Sequence, residues 1–585
     1  MSLIEKINGP KDIKEMDIKE LNDLAGEVRE IIIKKVSKTG GHMGPNLGFI
    51  EPTIAMHYVF NSPVDKIVYD VSHQCYTHKI LTGRKDNFID EEKYEDISGY
   101  TNPHESKHDF FQIGHTSTSI SLATGLAKAR DVKNEKGNVI AVIGDGSLTG
   151  GEAYEGLNNA AVLNSNIIIV VNDNEMSIAK NQGGLVGHLD TLRKTNGKSE
   201  CNMFKALGFD YYYVEDGNDV ESLINTFKAV KDTNKPVVVH IHTNKGKGYK
   251  FAEENKEAGH WVMPSDFDYS KMPKESYSSI LADFISKKCE NNEPFVGITA
   301  ATPTVCGFTP DLRAKLGKHY VDVGIAEQHA VALASGIAKN GGRPIFGVYS
   351  SFIQRTYDQL SQDLALNNNP AVIVVFDGGL SPMDATHVGQ FDISMISNIP
   401  NLVYLAPANK EEYIAMLNWA TTQTEHPVII RAASMHEMKS TGNEDTTTDY
   451  SDLNKFKVEK KGNKVAIIGL GYFYYLGEEV AKMLKDKLGI DATVINPHYI
   501  SGIDEELLEN LKENHDLVIT LEDGIVDGGF GEKISRFYGS SDMKVLNYGG
   551  KKEFTDREDL DEIYTKNHLK PELILQDIEK VNVIK

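Results

Sequence analysis

The sequence predicts an α/β protein of three doubly wound domains with mainly parallel sheets. Short, continuous apolar runs such as Val139–Ile143 and Ile167–Val171 read as strands buried on both faces. Helical stretches separate the runs, which demands crossover connections and hence parallel pairing. The alternation recurs along all 585 residues, a length that predicts three or four domains of ordinary size.

The first domain is expected over residues 1–274. About Asp17 to Lys38 reads as an amphipathic helix, with Leu21, Leu24, Val28 and Ile32 at helical spacing and Gly40-Gly41 ending it. His42 then stands among glycines, in a stretch without regular periodicity, and is read as facing a cleft rather than as a satisfied loop histidine. A strand over Lys66–Val71 leads into a polar cluster holding His73 and His78, beside Cys75. A further cluster, Gly114-His115-Thr116-Ser117-Thr118-Ser119, precedes a helix from about Ile120, whose N–H groups are expected to accept an anion. None of these histidines has partners at zinc-ligand spacing.

The centre of this domain is Val139–Ile143 followed by Gly144-Asp145-Gly146, then a helix, then Ile167–Val171 followed by Asn172-Asp173-Asn174. Two strand ends on one edge of a parallel sheet are where α/β proteins place ligands. The glycines permit tight turns and close approach to a phosphate, while Asp145 and Asn174 offer hard oxygens suited to Mg²⁺ shared with a diphosphate. A lone Gly-Asp-Gly is ordinary turn chemistry, but the pair of strand ends is far more specific. The strand Pro236–Thr243 ends at a Gly-flanked lysine pair, Lys245 and Lys247, read either as an anion contact or as a solvated loop. The segment Phe251 to Lys274 is polar and weakly patterned, but His260-Trp261 inside it points to packing.

The second domain is expected over 275–440, with strands Phe295–Thr299, Tyr320–Val323, Ile345–Tyr349, Val372–Phe376, Leu402–Leu405 and Val428–Ile430. Glu327 opens a helix directly after a strand; it is either a favourable N-terminal charge or an acid that activates a cofactor. A Thr/Asp/Asn-rich linker, about Ser440 to Lys455, precedes a third domain over 455–585, with strands Val465–Gly469, Ala492–Asn496, Leu517–Leu521 and Val545–Tyr548. Its Gly469-Leu470-Gly471 and Gly528-Gly529-Phe530-Gly531 stretches fall short of a dinucleotide fingerprint and are assigned to tight turns.

Composition narrows the partners. The net charge of −22 argues against nucleic acid, since neutralising phosphates needs clustered Lys and Arg. Four scattered cysteines do not form a disulfide framework and read as reduced thiols; Cys75 is weighed as a nucleophile and set aside as a small buried residue. Neither a targeting segment nor a membrane span is apparent, so a soluble cytoplasmic protein with no membrane partner is expected.

Six stretches, HYVFNSPVDKIVYDVSHQCYTHKILTGR, IGHTSTSIS, GDGSLTGGEAYEGLNNA with VNDNEMSI, DVGIAEQHAV and YSSFIQRTYDQ, together resemble the 1-deoxy-D-xylulose-5-phosphate synthase branch of the transketolase superfamily. They cover most of the first two domains. The resemblance implies the thiamine-diphosphate-binding fold, thiamine diphosphate and Mg²⁺ as cofactors, pyruvate and the aldehyde glyceraldehyde 3-phosphate as substrates, release of CO₂, and a homodimer. Residues 1–274 would hold the diphosphate and metal, and 275–440 the pyrimidine.

The resemblance also implies roles. Asp145, Asn174 and the carbonyl of Met176 would ligate the metal. His73, Gly114, His115, Thr116, Gly144, Gly146, Ser147, Ile178 and Lys245 would line the cofactor, with Phe352 stacking on the pyrimidine and Tyr357 beside it. Glu327 would hydrogen-bond the aminopyrimidine and favour the form that takes up the C2 proton. His42, His73, His115, His260 and His387 would handle the donor carboxylate and protons, and His42, Tyr357, Asp384, His387 and Arg431 the substrates.

The chain departs from the family pattern around the acceptor. A long insertion is missing between Gly184 and Gly208. Gly378 stands where the family has arginine, Asp384-Ala385-Thr386-His387 is a shortened motif, and Ala432-Ala433-Ser434 replaces Tyr-Pro-Arg. The two absent arginines are those that would grip a phosphate, worth about 1.5–3 kcal/mol for each charge-assisted bond. Arg355, Arg431 or Lys245 is expected to substitute. The alternatives are a ketol or acyl transferase using another acceptor, phosphorylated or not, and a cofactor-binding subunit without catalysis. Intact Glu327, Asp145 and Asn174 argue against the last.

Overall fold

The computed structural model describes residues 2–581 apart from 269, 271, 272, 274, 434–436 and 444. It divides into two compact units, Met1–Met272 with Gly324–Ala326, and Pro273–Val323 with Glu327–Lys585.

The first unit is built on five parallel strands, β1 (Lys66–Tyr69), β2 (Val139–Gly144), β3 (Ile167–Asp173), β4 (Asp210–Val214) and β5 (Pro236–His242), in the order β1-β2-β3-β5-β4. Helices cover both faces, so the central strands are apolar throughout: every residue of β3 is buried. Helix α1 (Ile18–Thr39) starts at a capping box, in which Asp17 accepts from Glu20 N and the Glu20 side chain accepts from Asp17 N. It buries Leu21, Leu24, Val28 and Ile32, the stripe legible in the sequence.

The weakly patterned tail of this unit is ordered by two residues. Trp261–Val262 pairs antiparallel with Gly41–His42, placing Trp261 opposite His42. Gly44 N donates to Gly259 O at 2.8 Å and Gly246 N to Gly44 O at 3.0 Å, so the glycine-rich turns close on one another. No helix among the described residues is long and apolar enough to cross a membrane.

The second unit carries two sheets. The first contains β6 (Phe295–Thr299), β7 (Tyr320–Asp322), β8 (Arg343–Tyr349), β9 (Val372–Phe376), β10 (Val403–Leu405) and β11 (Val428–Ala432), all parallel, in the order β10-β11-β9-β8-β6-β7. The second contains β12 (Lys457–Lys460), β13 (Lys464–Gly469), β14 (Thr493–Asn496), β15 (His515–Ile525) and β16 (Lys544–Gly550), in the order β12-β14-β13-β15-β16, with β12 antiparallel at the edge. One hydrophobic core runs beneath both sheets, joining Phe346, Ile373 and Tyr404 to Ile468, Ile495 and Val518. The fold is thus α/β with mainly parallel sheets.

Two strands went unread in the sequence. β4 is an edge strand, DYYYV, with exposed residues alternating along it, and β12, KVEK, is exposed almost throughout. Neither has the continuous apolar run that marks a central strand.

Candidate active site

In the first unit, four segments far apart in sequence bring their side chains together. His42 lies 4.9 Å from His73 and 5.4 Å from His260, ring centroid to centroid, with Trp261 at 4.6 Å and Tyr100 at 5.9 Å. His73 and His260 are themselves 5.4 Å apart. Asn46 ties the turns together, donating Nδ2 to His42 O at 2.8 Å and to His73 O at 2.7 Å. Lys245 joins the cluster: its Nζ lies 2.9 Å from His260 Nδ1 and donates to Ser177 O at 2.5 Å. It is buried rather than solvated, and burial brings its ammonium down to about 7 despite the attraction of Asp145. Burial, with Lys245 beside it, holds the His260 imidazole well below its ordinary value, so the ring is neutral.

The metal-binding candidates sit at the ends of β2 and β3. Asp145 N donates to Asn172 O at 3.0 Å, linking the two strand ends. The Asp145 carboxylate receives Asn181 Nδ2 on Oδ2 at 2.8 Å, whereas Oδ1 is buried without a hydrogen-bond partner. Burial, and the Asp173 carboxylate beside it, push Asp145 well above the usual carboxylate range. A buried carboxylate oxygen left bare is costly unless a cation completes it. Asn174 Oδ1 accepts from Met176 N at 3.2 Å, so Asn174, Met176 and Ile178 follow one another around one turn. A Cβ at Gly146 would meet Ser177 Cβ at 2.8 Å, whereas one at Gly144 would point into open space. The donor set of Asp145, Asn174 and the Met176 carbonyl fits a hard divalent cation held with a diphosphate.

At the start of helix α2 (Ser119–Val132), Ser117 N and Ser119 N donate to the two oxygens of buried Asp70, at 2.7 and 2.9 Å, so two of the amides there are taken by the protein's own carboxyl group. Gly114, His115 and Thr116 precede this turn, with Gly114 buried and the other two half-buried. Ser147 is buried, and its carbonyl accepts from Ser117 Oγ at 2.7 Å.

In the second unit, Glu327 begins helix α5 (Glu327–Lys339) and is buried. Its Oε2 accepts no hydrogen bond; Arg355 Nη1 stands 3.7 Å away. Burial raises the carboxyl above its ordinary value, and the arginine only partly offsets this. Phe352 packs edge-on against His387 at 5.8 Å and at a tilt against Tyr349 at 5.7 Å. His387 Nδ1 is 2.8 Å from Thr386 Oγ1, which donates to Asp384 Oδ1 at 2.8 Å; burial lowers the imidazole's affinity for a proton. Tyr357 is partly exposed and donates to Asn398. A cavity of about 180 Å³ opens where β8 and β9 end, walled by Tyr277, Val305, Tyr349, Phe376, Asp377 and Met438.

Arg431, expected to touch substrate, is committed elsewhere. It is buried in β11, with Nε donating to Asp392 Oδ2 at 2.6 Å and Nη1 to Asp523 Oδ1 at 2.5 Å. Tyr404 OH donates to the same Asp392 oxygen at 2.6 Å. Gly378 makes this possible: a Cβ there would lie 2.8 Å from Arg431 Nε and 2.9 Å from Asp392 Oδ2. Ser434 lies outside the described residues.

Sequence reasoning missed Asn46, Asp70 and Asn181, which hold the turns, and the pairing of Asp173 with Arg193 and His240. Asp173 carried a signal by its place in Asn172-Asp173-Asn174, and Asp70 by its place at the head of the polar cluster that holds His73.

Comparison with known proteins places the chain in a family. Residues 274–435 match the transketolase pyrimidine-binding domain and residues 454–566 the transketolase C-terminal domain, so the chain is a transferase of the transketolase type. Residues 4–202 and 195–243 match the family model described as 1-deoxy-D-xylulose-5-phosphate synthase. The 1-deoxy-D-xylulose-5-phosphate synthase of Caldanaerobacter subterraneus subsp. tengcongensis is 38% identical, over 98% of this chain and 98% of its own. That of Clostridium tetani is 37% identical, over 99% of this chain and 100% of its own. Among solved structures, transketolase from Campylobacter jejuni is 16% identical with a TM-score of 0.44, covering 97% of this chain and 100% of that one. The chain belongs to the 1-deoxy-D-xylulose-5-phosphate synthase family.

Proposed function

We propose that this chain condenses pyruvate with glyceraldehyde 3-phosphate, releasing CO₂, to give 1-deoxy-D-xylulose 5-phosphate. The observation that carries the mechanism is the pair of buried carboxylate oxygens without hydrogen-bond partners, Asp145 Oδ1 and Glu327 Oε2. Asp145, Asn174 and the Met176 carbonyl would hold Mg²⁺ and, through it, thiamine diphosphate, with Gly114, His115, Thr116, Gly144, Gly146, Ser147, Ile178 and Lys245 lining the diphosphate half and Phe352 and Tyr357 the pyrimidine half. Residues 1–274 form the diphosphate domain, 275–440 the pyrimidine domain and 455–585 the C-terminal domain. Bound thiamine diphosphate supplies the electron sink that makes loss of CO₂ from a 2-oxo acid feasible.

The chain's own residues do the rest. Glu327, whose carboxyl burial raises above its ordinary value, would hold a proton against a ring nitrogen of the bound cofactor. Lys245 and the rings of His42, His73 and His260 orient the donor carboxylate and exclude water around it. His387, aligned through Thr386 by Asp384, moves the proton of the acceptor hydroxyl. Because Arg431 is held by Asp392 and Asp523, the acceptor phosphate falls to Arg355. A homodimer in the cytoplasm fits the reading.

The test is CO₂ release from pyruvate with thiamine diphosphate and Mg²⁺, with no aldehyde, with glyceraldehyde and with glyceraldehyde 3-phosphate. Release is expected to rise most with the phosphorylated aldehyde and to match formation of the five-carbon phosphate. A preference for unphosphorylated glyceraldehyde would refute the acceptor assignment.

A further inference from the structure

The turn that bears Asn174 also carries a carboxylate with no part in the metal site described above. Asp173 is fully buried at the end of β3, beside the Asp145 carboxyl. A second carboxylate in that position is a liability. It repels the first, and it is itself a hard-oxygen ligand that could draw the ion away from its partner.

Three donors reach it, and the nearest in sequence is Glu175 N, 3.4 Å from Oδ1. His240 in β5 brings Nε2 to Asp173 Oδ2 at 2.9 Å and is itself fixed by Tyr211 OH, 2.8 Å from its Nδ1. Arg193, one residue before the end of helix α4 (Gly184–Lys194), donates Nη1 to the same oxygen at 2.6 Å. The guanidinium is largely buried, and its Nη2 stands 3.7 Å from Glu175, the residue after Asn174. The Asp173 carbonyl accepts Thr243 N at 2.9 Å, so side chain and main chain are both held.

We propose that Arg193 is a positioning residue of the metal site, pinning Asp173 so that Asn174 and Met176 keep their register and Asp145 Oδ1 is the carboxylate oxygen open to the ion. This rests on the reading of Asp145, Asn174 and Met176 as Mg²⁺ ligands. Helix α4 starts just beyond the metal turn, at Gly183 with φ 98°, and returns its arginine to that turn, so its packing and the site's affinity for metal are coupled. Partners that orient metal ligands typically govern affinity by about 10–100-fold.

The experiment titrates Mn²⁺ into the full chain with saturating thiamine diphosphate and reads free Mn²⁺ by its paramagnetic resonance signal. Arg193→Leu should weaken Mn²⁺ binding by about tenfold or more, and Arg193→Lys should recover most of the loss. On an Asp173→Asn background, Arg193→Leu should cost little more, because the arginine acts through that carboxylate. Asp145→Ala is the control for the site itself and should abolish tight binding. Wild-type affinity in Arg193→Leu with loss in Asp145→Ala would overturn the role of Arg193 and leave the metal site standing. Wild-type affinity in Asp145→Ala would overturn the metal site. Full additivity in the double variant would overturn action through Asp173. Should Arg193→Leu not fold, Arg193→Gln, which keeps an N–H donor without charge, gives the same comparison.

Discussion

Glu327 opens a helix, where the backbone dipole favours a negative charge, yet its carboxyl is held above the ordinary range. Burial outweighs both the dipole and Arg355, because the guanidinium stands off at 3.7 Å and leaves Oε2 bare. An amide in its place keeps the shape and removes the acid. Glu327→Gln is expected to lower the rate of hydrogen–deuterium exchange at C2 of bound thiamine diphosphate by at least about 100-fold, the usual span of general acid–base catalysis. Its melting temperature should stay close to wild type. Exchange at the wild-type rate would remove Glu327 from this role. The position was legible in the sequence because a strand end, a glycine and an acid at a helix start coincide there. The bare oxygen was not, since it depends on what fails to approach from other segments.

Among the elements, the Gly528-Gly529-Phe530-Gly531 turn has a specific job. Its amides at Phe530 and Gly531 donate to the two oxygens of Glu522, at 2.9 and 2.8 Å, at the start of helix α6 (Phe530–Tyr538). A Cβ at Gly529 would meet Glu522 Oε2 at 2.6 Å, so the glycine makes room for the carboxylate. Burial, with Asp523 adding to it, lifts Glu522 to about 7 against the pull of those amides. Its unfolded value is near 4.5. Between these pH values the folded chain retains a proton that the unfolded chain has released, so stability falls as pH rises from about 4.5 to about 7. Glu522→Gln has no such proton. Urea melts should show the variant least stable relative to wild type near pH 4.5, with the gap narrowing by up to ~3 kcal/mol at pH 8. A pH-independent gap would refute the shift. The sequence marked this stretch as a tight turn but gave no sign of the carboxylate within it, which comes from the neighbouring strand. The same blindness applies to Asp70, whose carboxyl group takes two amides at the start of helix α2. A glycine-rich turn announces that something negative or close-packed will be received, and only the fold says what.

At the scale of the whole molecule, the central strands were readable because burial on both faces leaves an unbroken apolar run, as in β3 and β9. The edge strands β4 and β12 escaped because half their residues meet water. The segment after Phe251 looked weakly patterned because its strand pairing among the described residues is as short as Trp261–Val262, and the partner lies near the other end of the unit's chain. Cofactor should act on the molecule as a whole, since a ligand that binds only the folded state stabilises it by mass action. Thiamine diphosphate and Mg²⁺ together, at a hundred times their dissociation constants, should add about 2.7 kcal/mol of unfolding free energy. Chelating the metal should abolish most of that gain, and Asp145→Ala should show none. A full shift with thiamine diphosphate in the presence of chelator would contradict a metal-bridged diphosphate.

Gly378 carries a consequence for any return to the family residue. A Cβ there would lie 2.8 Å from Arg431 Nε and 2.9 Å from Asp392 Oδ2. An arginine placed at 378 therefore meets the ends of these two side chains before it reaches anything else, and restoring the family residue entails re-seating the Arg431–Asp392 pair as well.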